Sequence, residues 1–212
     1  GMAITPGFIN MLSWAPVSLI IDGNSQGDIR QGVTLEVFGE GGSMGPLNAK
    51  MKKAMEEDQT GPDRIPIEWN TLGEYMHFME KRGISCNIAS YVGATTIREN
   101  IIGEDNRAPT ATELESMKGL VKQAMEEGID MIFADPPYGM EQKDFEKIVE
   151  LIFENELLDE EGMLVVEHSK YTKLEQMSNF SFQKNYGGSV FSFFEFEIED
   201  ENEDEDLEGE EE

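Results

Sequence analysis

The run Ile129-Asp130-Met131-Ile132-Phe133-Ala134 is stopped by tandem prolines, Pro136 and Pro137. Six mainly apolar residues are too few for an ordinary helix, and the prolines forbid helical continuation. The run therefore reads as a buried strand. It delivers Asp135, Pro136, Pro137 and Tyr138 at its carboxyl end, where open α/β sheets bind their ligands. The four residues form a chemical set. The Asp135 carboxylate can accept a hydrogen bond from an exocyclic amine. The prolines stiffen the turn and leave backbone carbonyls without local donors. Tyr138 offers a flat face for stacking on a base. Such a set suits chemistry on the amino group of a flipped-out nucleobase.

The rest of the chain alternates strand-like and helix-like segments. Strands are expected at Gly7–Met11, Val33–Phe38, Ile84–Val92, Ile129–Ala134 and Met163–Glu167. Helical patterns fall at Thr71–Lys81, Thr95–Ile101, Thr112–Glu127 and Gln142–Phe153. The third of these has clear ends: Thr110 or Thr112 can cap it, Glu113 and Glu115 occupy its first turn, and Gly128 stops it. Phe180–Tyr186 and Ser189–Phe196 flank Gly187-Gly188 and read as a hairpin. The alternation predicts an α/β fold, a mostly parallel sheet with flanking helices and a C-terminal antiparallel hairpin. A single three-layer domain would satisfy it.

Charge constrains the partners. Net charge is −28, and residues 197–212 carry 12 acidic groups and no basic one. That segment is expected to be a disordered acidic tail. No part of the chain offers the positive footprint that meets phosphates. The lone Cys86 excludes an internal disulfide, no run of about 18 apolar residues suggests a membrane span, and no signal peptide is apparent. A cytoplasmic protein without a membrane partner is expected.

Residues 6–128 resemble the N-acyl-D-amino-acid deacylase branch of the amidohydrolases. The resemblance is carried by Pro6-Gly7-Phe8-Ile9-Asn10, Gln31-Gly32-Val33-Thr34, Gly39-Glu40-Gly41-Gly42, Asn87-Ile88-Ala89-Ser90-Tyr91-Val92-Gly93 and Arg107-Ala108-Pro109-Thr110. It implies part of a metal-dependent hydrolase built on a (β/α)₈ barrel with a small β-domain. The metal ligands do not carry over. Leu12 and Trp14 stand where the family has His-x-His, and Gly41 stands where it has a cysteine, so zinc is not expected. A full barrel also needs about 250 residues. Unpaired edges of a partial barrel leave self-association open.

Residues 129–196 resemble the C-terminal part of bacterial small-subunit ribosomal RNA guanine-N2 methyltransferases. The carriers are Asp130 to Tyr138, then Gly162 leading to Val165-Val166-Glu167-His168-Ser169, and Tyr186-Gly187 before Ser192-Phe193-Phe194-Glu195. The resemblance implies that Asp135 and the Pro136 carbonyl hold the target amine and that Tyr138 stacks on the base. Pro137, Glu167 and His168 are implied substrate-side residues. It also implies S-adenosylmethionine as cofactor and a nucleobase or RNA as substrate, which the net charge opposes. No glycine-rich cofactor loop of the Asp-x-Phe-x-Gly-x-Gly type precedes the strand. Ser90–Ile97, with Gly93 before a helix, is the nearest strand-glycine-helix element, and the cofactor-binding residues stay unassigned.

The sequence thus reads as three segments: a deacylase-like 1–128, a methyltransferase-like 129–196 and a tail 197–212. Three functions remain open. One is an incomplete S-adenosylmethionine-dependent base-amino methyltransferase site at Asp135–Tyr138, weak or inactive alone. Another is a metal-dependent deacylase fragment. The third is a non-catalytic or engineered chimera. Elsewhere, His77 reads as an ordinary helix residue, Cys86 as a small core residue, and Gly39–Ser43 as a turn without the P-loop lysine.

Overall fold

The structure is a computed structural model, which describes residues 5–59, 64–128 and 131–196. The tail expected at 197–212, and Ile129 and Asp130 at the start of the key strand, lie outside the described residues. The chain divides into two compact units, Gly1–Ile129 and Asp130–Glu212.

In the first unit the order is β1 (Phe8–Asn10), α1 (Pro16–Ile21), α2 (Gln26–Ile29), β2 (Val33–Phe38), α3 (Ala49–Glu57), α4 (Leu72–Arg82), β3 (Asn87–Ser90), α5 (Ala94–Ile102) and α6 (Ala111–Glu126). Its three strands form a parallel sheet, β1-β2-β3. The core gathers Leu19, Ile20, Phe38, Trp69, Leu72, Tyr75 and Met79. Two helices begin with full capping boxes. Thr71 accepts from Glu74 N and Thr110 from Glu113 N, while each glutamate bonds back to the cap. Such boxes satisfy amide groups that a helix start would otherwise leave without partners. The sequence pattern placed these two helices within a residue or two. It missed α1, the short α2 and α3, although Pro16 at the first helical position of α1 and Asn48 as cap of α3 were the available signals. The strand expected at Ile84–Val92 shortens to Asn87–Ser90 because Ser85 is drawn elsewhere: its N–H donates to Gly23 O at 2.8 Å and its hydroxyl to Asn24 O at 2.6 Å.

The second unit contains β4 (Met131–Ala134), α7 (Gln142–Glu154), β5 (Met163–Ser169), β6 (Phe180–Tyr186) and β7 (Ser189–Glu195). The sheet order is β4-β5-β7-β6. The β4–β5 pair is parallel, and the other two pairs are antiparallel. The strands among the described residues therefore form two sheets rather than the one sheet a single three-layer domain requires. Alternation sorts the side chains of β5 and β7. Leu164, Val166 and His168 on β5, with Val190, Ser192 and Phe194 on β7, are buried, as are Phe145, Val149 and Ile152 of α7. The intervening residues, Val165 apart, are only half-buried. Among them Phe191 stacks near Phe133 at 6.2 Å between centroids, and Phe193 stacks on Phe182 at 4.3 Å. The amphipathic period of α7 supplies the apolar stripe that covers one face of a strand set with period two.

Two predictions follow from these contacts. Glu113, paired with Arg107 at 2.6 Å and bonded to Thr110 N, has its carboxyl held down at about 2. Its contribution to stability is complete above the usual carboxylate value and disappears as pH falls toward that figure. Carboxyl NMR titration should place it there and find it raised in Arg107→Ala. Phe145→Ala should cost about 3–5 kcal/mol and lower the melting temperature, because Phe145 is fully buried. Leu151→Ala on the exposed side of the same helix should move it little.

Candidate functional site

The site begins with strand register. Parallel pairing sets Ala134 opposite Val166, so the chain leaves β4 at Asp135 beside Glu167 of β5. Pro136 and Pro137 then turn it, and Met140 N donates to Pro137 O at 2.9 Å to close the turn. Tyr138 is thereby returned across the strand ends. Its hydroxyl donates to Glu167 Oε1 and lies 2.6 Å from Ser189 Oγ. Ser189 opens β7 and faces Ser169 of β5 across the antiparallel pair. Tyr138 as a whole is 50% exposed. Its hydroxyl is therefore fixed while much of its surface stays open.

The Asp135 carboxylate and the Pro136 carbonyl accept no hydrogen bond among the described residues, and both sit at the open end of β4. Partial burial, and then the Glu167 charge, hold the Asp135 carboxyl above the ordinary aspartate value. The hydrogen bond given to Glu167 raises the Tyr138 phenol, with the Glu167 and Asp135 charges adding to it, while the Ser189 contact opposes. The arrangement presents two acceptors without donors beside an aromatic face.

Asp135, Pro136, Pro137, Tyr138 and Glu167 are thus brought together. His168 is not. It falls on the opposite alternation of β5, 1% exposed, with its ring 6.3 Å from Phe145. Its Nδ1 lies 2.9 Å from Ser169 O and its Nε2 2.8 Å from Ser192 Oγ. A carbonyl can only accept, so Nδ1 carries the proton, and in the neutral ring Nε2 accepts from the Ser192 hydroxyl. That ring ties β5 to β7. Ser189 is the residue that sequence reasoning missed. It follows the Gly187-Gly188 turn, but no local pattern tells a serine at a strand start that a tyrosine 51 positions earlier will reach it.

The strand-glycine-helix element around Gly93 does not provide a cofactor cradle. Gly93 N donates to Ser43 Oγ at 3.1 Å, and a Cβ at Gly93 would meet Gly39 O at 3.0 Å and Gly41 O at 3.3 Å. The glycine suits the close approach of the 39–42 loop, and its N–H, the group a helix start would offer to an anion, is already taken by Ser43. The described residues do not fit S-adenosylmethionine there. At the deacylase-type metal positions, Leu12 is 54% and Trp14 84% exposed, and neither has a ligand atom. Among the described residues no group of three or more His, Cys, Asp or Glu side chains could hold a metal ion. No helix among them is long and apolar enough to cross a membrane.

A sequence profile of the family described as Conserved hypothetical protein 95 matches residues 89–195. The chain belongs to this family. It is a methyltransferase-like family, and the match takes in β3 through β7. The profile begins well before Ile129, so β3, α5 and α6 are shared with the other resemblance. That second resemblance is also present. The chain is 26% identical over 129 residues to the N-acyl-D-aspartate deacylase of Alcaligenes xylosoxydans xylosoxydans, covering 60% of this chain and 26% of that protein. It is 24% identical over 143 residues to an uncharacterized protein of Mycobacterium tuberculosis, covering 61% of this chain and 23% of the relative. The N-acyl-D-glutamate deacylase of Bordetella bronchiseptica shares its fold, with a TM-score of 0.52 at 20% identity over 70% of this chain and 32% of that one. The chain spans about a quarter of the length of the curated relatives it matches. It is a composite, deacylase-like in its N-terminal part and methyltransferase-like in its C-terminal part.

The bond from Tyr138 to Glu167 is directly testable. Spectrophotometric titration, taken as the difference between the protein and Tyr138→Phe, should find the Tyr138 phenol above the ordinary tyrosine value. Glu167→Gln removes the charge and should bring it back down. An unchanged titration would show that the bond is not formed in solution.

Proposed function

We propose that the end of β4 is a receptor for the exocyclic amine of a nucleobase, of the guanine-N2 type, in an incomplete amino-methyltransferase site. The observation that carries this reading is the pair of acceptors without donors, the Asp135 carboxylate and the Pro136 carbonyl, beside the ring of the half-exposed Tyr138. An aromatic amine has two N–H donors in its plane. One can go to Asp135 and the other to Pro136 O, while the base lies on the Tyr138 ring. Pro137 fixes the turn that holds these groups, and Glu167 fixes the tyrosine. A carboxylate is the stronger of the two acceptors, since hydrogen bonds to ionised groups are about twice as strong as neutral ones.

The reading stops at binding. Methyl transfer draws on the activated methyl group of S-adenosylmethionine, and the nearest strand-glycine-helix element for it, at Gly93, has its N–H engaged by Ser43. Charge also selects the ligand. With a net charge of −28 the chain repels a phosphate backbone, which favours a nucleoside-sized ligand over extended RNA. The deacylase reading has no comparable support, because the positions that would hold its metal are Leu12, Trp14 and Gly41.

2-Aminopurine riboside, which carries the exocyclic amine and is fluorescent, tests the reading. Its emission should be quenched on binding to the ring of Tyr138. Asp135→Ala should weaken binding about tenfold or more, the worth of a hydrogen bond to a charged group. Tyr138→Ala should weaken it about fivefold to a hundredfold through lost stacking. Guanosine should compete, and inosine, which lacks the amine, should not. Equal competition by inosine would refute amine recognition. Tight one-to-one calorimetric binding of S-adenosylmethionine would refute the incompleteness of the site.

A further inference from the structure

The bonds on Tyr138 cross three strand ends, and they do more than satisfy its hydroxyl. The ring stands on a turn after β4 and has no covalent reason to hold one plane. Its hydroxyl is bound at one side by Glu167 of β5 and at the other by Ser189 of β7. Glu167 is itself placed by the antiparallel register, opposite Phe191, and Ser189 by its pairing with Ser169 and Tyr186. An acceptor, Glu167, and a hydroxyl donor, Ser189, on adjacent paired strands thus fix the far end of the ring while the turn fixes the near end. A side chain held at both ends keeps its stacking face in place before a ligand arrives, which removes an ordering cost from binding.

We infer that Glu167 and Ser189 are positioning residues that clamp the Tyr138 hydroxyl and hold its ring in the plane on which the base stacks. The inference rests on the base-binding reading of the same site and assigns to it two residues that act through the tyrosine rather than on the ligand. Ser189 is outside the Asp-Pro-Pro-Tyr segment altogether. The clamp also accounts for a half-exposed tyrosine at a site with two carboxylates: Glu167 is occupied by the phenol, which leaves Asp135 as the carboxylate open to the amine. The titratable groups facing the phenol are Glu167 from β5 and Asp135 from the end of β4.

A double-mutant cycle on 2-aminopurine riboside affinity separates this from a direct role. Tyr138→Phe keeps the ring and removes the clamped hydroxyl, and it should weaken binding about threefold to tenfold, the worth of an ordinary hydrogen bond. Glu167→Ala and Ser189→Ala should each weaken binding by a similar factor in the natural background. In the Tyr138→Phe background both should change it less than about twofold, since their only route is the missing hydroxyl. Glu167→Gln retains an acceptor and should restore most of the affinity that Glu167→Ala loses. Additive effects would overturn the inference, because Glu167 would then act on the ligand itself or on Asp135. No quenching by the natural protein would instead refute the base-binding reading, and the function of the clamp with it. The phenol titration of Tyr138, which needs no ligand, would then still distinguish a clamp without a base from no clamp at all. Far-ultraviolet circular dichroism and melting temperature of each variant exclude unfolding as the cause of a loss.

Discussion

Parallel pairing of β4 with β5 is the constraint from which the candidate site is built. A parallel pair runs its two strands toward the same edge, so their carboxyl ends release side chains side by side. With Ala134 opposite Val166, the next residues are Asp135 and Glu167. A slip of one position would turn Glu167 toward α7 and bring His168 to the edge, since side chains alternate along a strand. The register is held from the buried side. Leu164, Val166 and Phe194 are 0% exposed and lie in the same sheet layer as the His168–Ser192 bond. Core packing under the sheet thereby fixes chemistry above it.

Electrostatics at the edge is a balance between two carboxylates. Like charges at close range disfavour double ionisation, and Glu167 does raise the Asp135 carboxyl, though burial raises it more. The phenol of Tyr138 relieves the conflict by donating to Glu167. It gives Glu167 a partner, while the Asp135 carboxylate accepts no hydrogen bond among the described residues. The site is therefore asymmetric although its two acids come from equivalent positions on neighbouring strands.

The composite character of the chain has a physical counterpart in its glycines. Gly93 lies where a methyltransferase-like reading would seek a cofactor loop, yet it serves the packing of the 39–42 loop. Ser43 joins this arrangement by donating to Gly45 O and accepting from Gly93 N, while its own N–H goes to Thr96 Oγ1. Gly39, at φ +92°, belongs to the same contact, since a Cβ there would run into Tyr91 O. The turns of this segment are thus tied together by buried hydrogen bonds. The methyltransferase-like match overlaps this segment through β3, α5 and α6.

Local chemistry made much of the fold legible in the sequence. The capped helices α4 and α6 announced themselves through Thr71, Glu74, Thr110 and Glu113, because a capping box is satisfied within four residues. The hairpin β6–β7 was visible through Gly187-Gly188, and β4 through an apolar run ended by prolines. The sequence also determined the acceptor-rich identity of the site, since Asp135-Pro136-Pro137-Tyr138 are consecutive. The tertiary structure alone decided which distant groups serve that segment. It chose Glu167 over His168 by strand register, and it brought in Ser189 through antiparallel pairing across 51 positions. It also divided the strands into two sheets. These outcomes depend on contacts between residues far apart in the chain, and such contacts leave no mark in the local pattern of any one segment.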